Sequence, residues 1–166
     1  MKQIVLLSDT HHTLDERFIP HLKQCDEIWH AGDIGSLQIT DQLKKIAPIR
    51  VVYGNIDNHK IRAHFKKTLL FRCEQIKVMM THIGGYPGRY DKKILPMIEQ
   101  ENPDLFICGH SHILKVMHDK KHKLLHMNPG AIGDFGIHKV KTILCFTIEG
   151  KKIKNLRVVE YPKRKS

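Results

Sequence analysis

The sequence predicts an α/β fold in which two sheets face each other and helices cover their outer sides. In the first third of the chain, apolar runs of strand length alternate with polar stretches of helical period, an order typical of parallel strands with helical crossovers. The later part of the chain is mostly a succession of short strand-like runs, which indicates antiparallel pairing. Because no repeat or linker interrupts the 166 residues, we expect one domain over residues 1–166.

The first part of the chain supplies three strands and two helices. The strands are predicted at residues 4–8, 27–32 and 49–54. The first helix is indicated by apolar residues four positions apart, Leu14, Phe18 and Leu22. Pro20 is expected to kink or break that helix. The second helix is predicted within residues 36–47, with Ser36 as a candidate N-cap.

The later part of the chain supplies one helix and seven strands. The helix is predicted at residues 90–101, where Asn102 and Pro103 end it. The strands are predicted at residues 68–73, 76–81, 105–108, 113–118, 123–127, 141–148 and 151–161. The first two form a plausible hairpin, and Glu149-Gly150 is the expected turn between the last two.

Composition places the chain among cytoplasmic proteins without a membrane segment. Hydrophobic residues make up 41% and charged residues 27%, and the apolar runs are far shorter than the ~20 residues that cross a bilayer. The start of the sequence lacks the apolar length and cleavage site of a signal peptide. Four widely spaced cysteines without a CxxC motif indicate reduced thiols and hence a cytoplasmic location.

The formal net charge of +11 raises the question of an anionic partner. Lysine pairs are dispersed along the chain, and no basic stripe is interleaved with aromatic residues. These features favour a solvated basic surface over a dedicated nucleic-acid face. A weak attraction of this surface to nucleic acid is still expected, and a nuclease or nucleic-acid-binding protein stays an alternative.

Five predicted strands each stop at residues that can hold a metal ion or a phosphate. In order, these clusters are Asp9-Thr10-His11, Gly32-Asp33, Gly54-Asn55-Ile56-Asp57, Thr81-His82 and Gly109-His110-Ser111-His112. A single cluster of this kind is most often a turn. Ligands of α/β sheets bind beyond the carboxyl ends of the strands, however, and five such clusters favour one shared metal site.

The residue types indicate which metals this site would take. Carboxylate, imidazole and carboxamide groups without a thiolate suit Mn, Fe, Zn or similar ions better than a structural zinc site. One intervening residue separates Asp9 from His11, and His110 from His112, so in an extended chain each pair is expected to point to one side. Seven candidates exceed one tetrahedral ion and suit two ions that share a carboxylate, for which Asp33 is the natural bridge.

The motifs DxH, GD, GNxD, a histidine at a strand end and GHSH, in this order, resemble the calcineurin-like metallophosphoesterase superfamily. The chain length and the NPGA sequence at 128–131 resemble its compact YfcE-like phosphodiesterase branch. The resemblance covers nearly the whole chain. It implies a four-layer α-β-β-α sandwich of two facing mixed sheets, with a dinuclear metal centre.

The resemblance also implies roles for individual residues. One ion would be held by Asp9, His11, Asp33 and His112, and the other by Asp33, Asn55, His82 and His110. Of these residues, Asp33, Asn55 and His110 are expected to take part in catalysis. The implied cofactor is a pair of divalent ions, with Mn as the first expectation and Ni, Zn, Fe or Mg as alternatives. Compact relatives suggest a homodimer or homotetramer.

Departures from the family pattern concern the substrate-binding residues. Ile56 stands where many relatives have a histidine near the leaving group, so no evident residue protonates that group. The arginine that relatives carry after NPG is missing, and His138 or Lys139 is a candidate replacement. Candidate substrate contacts elsewhere are Arg89, His12 and His59.

These residues predict a metal-dependent phosphoesterase that acts on a small phosphoester. A phosphodiesterase is favoured over a phosphomonoesterase, with a metal-bridging hydroxide that attacks phosphorus. The alternative within the same fold is a non-catalytic, protein-binding scaffold, as in the retromer subunit of this superfamily. All seven ligand positions carry competent residues, which favours the enzyme.

Overall fold

Two five-stranded sheets face each other in the computed structural model, which describes residues 1–164 of the chain. The strands are β1 Lys2–Leu7, β2 Glu27–His30, β3 Ile49–Val51, β4 Thr68–Cys73, β5 Ile76–Thr81, β6 Gly85–Tyr86, β7 Arg89–Tyr90, β8 Leu105–Ile107, β9 Leu114–Asp119, β10 Leu124–Pro129, β11 Val140–Glu149 and β12 Lys152–Pro162. The α-helices are α1 Ile19–Leu22, α2 Leu37–Lys44, α3 His59–His64 and α4 Leu95–Glu101. A short 3₁₀ helix, Glu16–Phe18, precedes α1.

Each sheet contains a parallel set of three strands. The first sheet has the order β12-β11-β1-β2-β3, in which β1, β2 and β3 run parallel. The second has the order β4-β5-β8-β10-β9, in which β5, β8 and β10 run parallel. Strands β6 and β7 form a separate antiparallel hairpin. The carboxyl ends of each parallel set therefore meet at one edge of the sheet.

The space between the sheets is filled by apolar side chains from both. Strand β1 shows the two-residue alternation that this requires, since Ile4 and Leu6 point into the space between the sheets. Trp29 lies in the same cluster, with its ring centroid 5.0 Å from that of Phe71 and 5.8 Å from that of Phe146. The edge-to-face contact with Phe71 of β4 connects the two sheets, and the contact with Phe146 of β11 lies within the first sheet.

Helices bury the outer face of each sheet. Val5 and Leu7, the other side of the β1 alternation, pack in a cluster that includes Phe18 and residues of α1, α2 and α3. A smaller cluster places Ile98 of α4 with Phe106 of β8 on the second sheet. The predicted α-β-β-α sandwich of two mixed sheets is confirmed. No helix within residues 1–164 combines the length and the apolar character needed to cross a membrane.

Several local predictions were wrong. Pro20 occupies the first turn of α1, where its missing N–H costs nothing, so it begins a helix that was expected to break there. The predicted helix around Leu14–Leu22 is shortened to a 3₁₀ turn and one α-turn. Helix α3 and the β6–β7 hairpin were not predicted, because six polar-rich residues and two-residue strands carry too little periodicity.

Replacing Phe146 by alanine should destabilise the protein, since the ring is buried between the sheets against Trp29. We expect a loss of about 3–5 kcal/mol in the free energy of unfolding. Urea titrations followed by Trp29 fluorescence would measure it. Phe135→Ala removes the same ring at a position that is 66% exposed and is the matched control. Equal unfolding midpoints for the two variants would contradict this account of the core.

Candidate metal centre

The loops that follow β1, β2, β5 and β8 are joined at one edge of the fold by backbone hydrogen bonds. The N–H groups of Asp9 and His11 donate to the carbonyls of Gly32 and Asp33, at 2.9 and 3.1 Å. The N–H of Gly109, after β8, donates to the carbonyl of His82, after β5, at 2.9 Å. In each sheet, two neighbouring loops are therefore bonded to each other.

Seven side chains from these loops and the loop after β3 form one cluster. Asp9, His11 and His112 offer ligand atoms that lie within 4.8 Å of one another. Asp33, His82 and His110 form a second group of the same kind. Asn55 joins the second group, because its Oδ1 lies 3.1 Å from Nδ1 of His110. The structure therefore brings together all seven residues that were predicted as metal ligands.

The Asp33 carboxylate lies between the two groups. Its Oδ2 is 3.3 Å from Nε2 of His11 in the first group and 3.1 Å from Nε2 of His82 in the second. In the first group, Oδ1 of Asp9 is 3.2 Å from Nε2 of His112. Asp33 Oδ2 is therefore within 3.3 Å of a histidine nitrogen of each group.

Three of these atoms are buried without a hydrogen-bond partner among residues 1–164. They are Oδ1 of Asp9, Nε2 of His11 and Nε2 of His82. Buried polar atoms are costly unless they are satisfied, and these atoms lie close together without the angles of a hydrogen bond. Such an arrangement is expected of groups that point at a common cation. The donor set thus fits divalent metal ions.

The other ends of the same side chains are fixed by protein donors. Asp9 accepts hydrogen bonds through Oδ2 from the Ser8 hydroxyl at 2.5 Å and from the His110 N–H at 3.2 Å. Asp33 accepts through Oδ1 from the Ile56 N–H at 3.1 Å. Nδ1 of His82 lies 2.7 Å from the Ala31 carbonyl, so this nitrogen carries the proton and leaves Nε2 free to bind a metal.

The backbone of the site differs from the extended geometry that the sequence suggested. Five of the seven residues have a positive φ, namely Asp9, His11, Asp33, His110 and His112, with values from 45° to 72°. The extended backbone expected for these residues was therefore wrong, while Asp9 and His11 do point to one side, since they fall in one group of ligand atoms. Left-handed conformations are unfavourable for residues with a Cβ, and they persist where surrounding contacts fix them.

Two buried residues that are not candidate ligands fix these loops. Asp57 accepts hydrogen bonds from the N–H groups of Ile34, Gly35 and Gly54 at 3.2, 2.9 and 2.7 Å, and so ties the loop after β3 to the loop after β2. His30 accepts from the Gly32 N–H at 3.0 Å and lies 3.1 Å from the Thr10 hydroxyl.

The role of His30 was missed in the sequence, where it reads as part of a strand. Burial lowers its pKa to about 4, so the ring is neutral and can both accept and donate these hydrogen bonds.

The loop at residues 133–139 covers the first group. The Phe135 ring stacks on His11 with centroids 4.8 Å apart, and the His138 ring contacts His112 edge-on at 5.1 Å. The loop is anchored by the buried Lys141 ammonium, which pairs with Asp134. Phe135 was not predicted, since an aromatic residue in a glycine-containing loop gives no periodic signal. His138 lies at the first group, whereas nothing in the structure distinguishes Lys139.

Charge coupling within the cluster shifts the pKa of several groups. Burial opposes ionisation of Asp9 and Asp33, but the neighbouring histidines outweigh it and hold the pKa of both carboxyls well below the ordinary value. Burial likewise opposes protonation of His11, but Asp33 and Asp9 raise its pKa to about 9. The pKa of His110 is lowered, chiefly by burial. Without metal ions, His11 therefore serves as the counterion of the two carboxylates.

The three predicted substrate contacts lie outside the two groups. Arg89, on β7, is exposed and lines a groove that reaches His110. His12 is exposed beside His11, and His59 is the exposed first residue of α3. Their contact with a substrate stays a prediction.

The metal-free protein should become less stable as the pH rises from about 6.5 to 9. His11 has its ordinary pKa of 6.5 when unfolded and about 9 when folded, so folding favours its proton within this window and that contribution disappears above it. Urea midpoints in a chelating buffer at pH 6, 7.5 and 9 would measure the loss, about 2–3 kcal/mol. His11→Gln should flatten the dependence, whereas His118→Gln, at an exposed position, should preserve it. Parallel pH dependences in both variants would contradict the assignment.

Comparisons of the sequence with known proteins identify a family of phosphoesterases. A family model for the calcineurin-like phosphoesterase superfamily domain matches residues 1–151. A probable metallophosphoesterase from Methanothermobacter thermautotrophicus is 30% identical over 135 residues, which are 77% of this chain and 76% of that protein.

Solved structures share the fold at lower identity. Vps29 from Entamoeba histolytica, complexed with zinc, superposes with a TM-score of 0.74 at 16% identity and covers 96% of this chain and 98% of its own. A structure described as a novel archaeal phosphodiesterase has a TM-score of 0.69 at 21% identity, with coverage of 95% and 99%. On the family model and the 30%-identical relative, the chain belongs to the calcineurin-like phosphoesterase superfamily.

Proposed function

We propose that the protein is a phosphodiesterase that works with two divalent metal ions. The observation that carries the proposal is the position of Asp33 Oδ2, 3.3 and 3.1 Å from histidine nitrogens of two separate groups. A single cation would leave one group of buried polar atoms unsatisfied. The proposed ligands are Asp9, His11, Asp33, Asn55, His82, His110 and His112.

These residues would hold the two ions, which would supply polarisation of phosphoryl oxygens and a water of lowered pKa as nucleophile at neutral pH. The chain's own residues hold the arrangement that this chemistry needs. Ser8, the His110 N–H and the Ile56 N–H fix the two carboxylates. Asn55 and His110 are exposed and in contact with each other, so in this proposal they form the open side of the centre, at which the substrate would enter.

Manganese is the metal we propose first. Oxygen and imidazole donors without thiolate accept Mn readily, and Ni, Zn, Fe and Mg are compatible with parts of this set. The zinc named for the Entamoeba histolytica structure belongs to that protein. A cytoplasmic location and a homodimer or homotetramer stay predictions from the sequence.

A protein-binding scaffold is the second candidate, because Vps29 structures share the fold. At 16% and 12% identity this similarity concerns the fold alone. Seven donors that converge at one edge of the fold favour the enzyme, and turnover rather than metal binding separates it from a scaffold. The nucleic-acid alternative rests on the net charge of +11 and predicts binding that falls steeply with salt.

A panel of phosphomonoesters and phosphodiesters, assayed with Mn, Ni, Mg or Zn, tests the proposal. We expect turnover of nitrophenyl diesters with at least one metal. Asp33→Ala and His110→Ala should each lower kcat more than about 100-fold, beyond the 10–100-fold loss typical of residues that only support ligands. His118→Ala, an exposed histidine of β9, is the matched control. An Asp33→Ala variant with full metal content and turnover would exclude the site, and an inert protein with all metals would favour the scaffold.

Replacing Ile56 by histidine should speed the hydrolysis of diesters with poor leaving groups. Ile56 is 41% exposed beside Asn55, and its N–H is held by Asp33, so a side chain here lies at the edge of the centre. A proton donor at this position should raise kcat for phenyl or alkyl leaving groups by about 10–100-fold and leave nitrophenyl esters little changed. Ile56→Gln adds polarity without an acid and is the control. Equal kcat values of the two variants on esters with poor leaving groups would show that a side chain at position 56 does not protonate the leaving group.

A further inference from the structure

A groove of about 450 Å³ is lined at one position by His110 of the candidate metal centre. It lies between the loop that follows β8 and the β6–β7 hairpin. The residues on which its character depends are Ile83, Tyr86, Arg89, Ser111, Ile113 and Lys115. None of these six is a proposed metal ligand.

One side of the groove is apolar and solvent-exposed. Ile83 directly follows His82 and is 40% exposed, and Ile113 directly follows His112 and is 62% exposed. Tyr86, on β6, is 39% exposed. Because Ile83 and Ile113 are bonded to residues that hold the metal centre, a phosphate at the centre would place one of its ester groups against this surface. Apolar side chains at such positions favour an apolar ester group.

The groove also carries positive charge. The Lys115 ammonium lies 4.1 Å from the centroid of the Tyr86 ring, a cation–π contact that positions it at the wall. Arg89, on β7, is exposed in the same groove. The acidic residue in the lining is Asp91, whose Oδ1 accepts a hydrogen bond from the Lys93 N–H at 2.9 Å. Two cations against one carboxylate give the groove a net positive charge.

The floor adds hydrogen-bond donors. The Ser111 hydroxyl accepts from the Ile113 N–H at 3.2 Å and from the Asn128 amide at 3.1 Å, so its own proton is free to be donated into the groove. His126 lies in the same lining, fully buried, and neither of its ring nitrogens has a partner among residues 1–164. A buried imidazole without a hydrogen-bond partner in the described residues is therefore available in the lining of the groove.

We propose that this groove binds the ester group of the substrate that is not displaced, and that this group is an apolar ring bearing a further negative charge. The proposal rests on the proposed phosphodiesterase function and names its substrate class. The ring packs against Ile83, Ile113 and Tyr86, while the added anion meets Arg89, Lys115 and the Ser111 hydroxyl.

Three diesters that share a p-nitrophenolate leaving group test the proposal. They carry a methyl, a phenyl or a 4-carboxyphenyl group as the second ester, and each kcat/KM is divided by the rate of alkaline hydrolysis of the same ester. We expect about a tenfold gain from methyl to phenyl through burial of the ring. A further gain of about threefold is expected from phenyl to carboxyphenyl through the exposed Arg89 and the half-buried Lys115.

Variants assign each gain to its side of the groove. Ile113→Ser should reduce the phenyl-to-methyl ratio, and Lys115→Ala or Arg89→Ala should reduce the carboxyphenyl-to-phenyl ratio towards one. Lys154→Ala, an exposed lysine on β12 distant in sequence, is the control and should keep both ratios. Equal normalised values for the three esters would overturn the groove proposal while the enzyme assignment stands. If none of the three esters is hydrolysed, the proposed phosphodiesterase function itself is overturned.

Discussion

The arrangement of this molecule depends on the proximity of two buried carboxylates to histidine nitrogens at one edge of the fold. Asp9 is fully buried and Asp33 is 2% exposed, and their free oxygens lie between 3.1 and 3.9 Å from imidazole nitrogens. Such groups are unfavourable in an apolar interior unless positive charge compensates them. In the metal-free protein a protonated His11 supplies part of that charge. Two cations would supply it in full, so the same geometry serves both stability and chemistry.

The sheets and the loops divide the work of building this site. Apolar side chains between the sheets fix the strands, and the strand ends then fix where each loop begins. The loops pack so closely that a Cβ at Gly54 would overlap the Asp33 carboxylate, and one at Gly109 would overlap the Ser8 hydroxyl. Glycine is required at these positions by close approach alone. This close packing holds the ligand residues in their left-handed backbone conformations, which would be unfavourable without it.

The sequence allowed the fold class and the composition of the cluster to be predicted, because both follow from strand periodicity and from what stands at strand ends. Asp9 and Asp33 could be expected to meet, since β1 and β2 are parallel neighbours that end at a common edge. The contact between Asp33 and His82 joins the two sheets and depends on how the sheets face each other. The left-handed backbone of the ligand residues could not be predicted from the sequence, because it results from packing between loops that are distant in sequence. His30 and Phe135 were missed for the same reason. The contacts of each residue come from segments distant in sequence, and a local sequence pattern does not reveal such contacts.

The two halves of the metal centre are not equally open. Phe135 and His138 cover His11 and His112, whereas Asn55 and His110 are exposed at the other end. A stacked ring thus shields the His11 side of the cluster, while the side formed by Asn55 and His110 faces the surrounding solution. If the proposed pair of ions binds, the ion beside Asn55 and His110 would be the more accessible of the two to chelators and to competing metals.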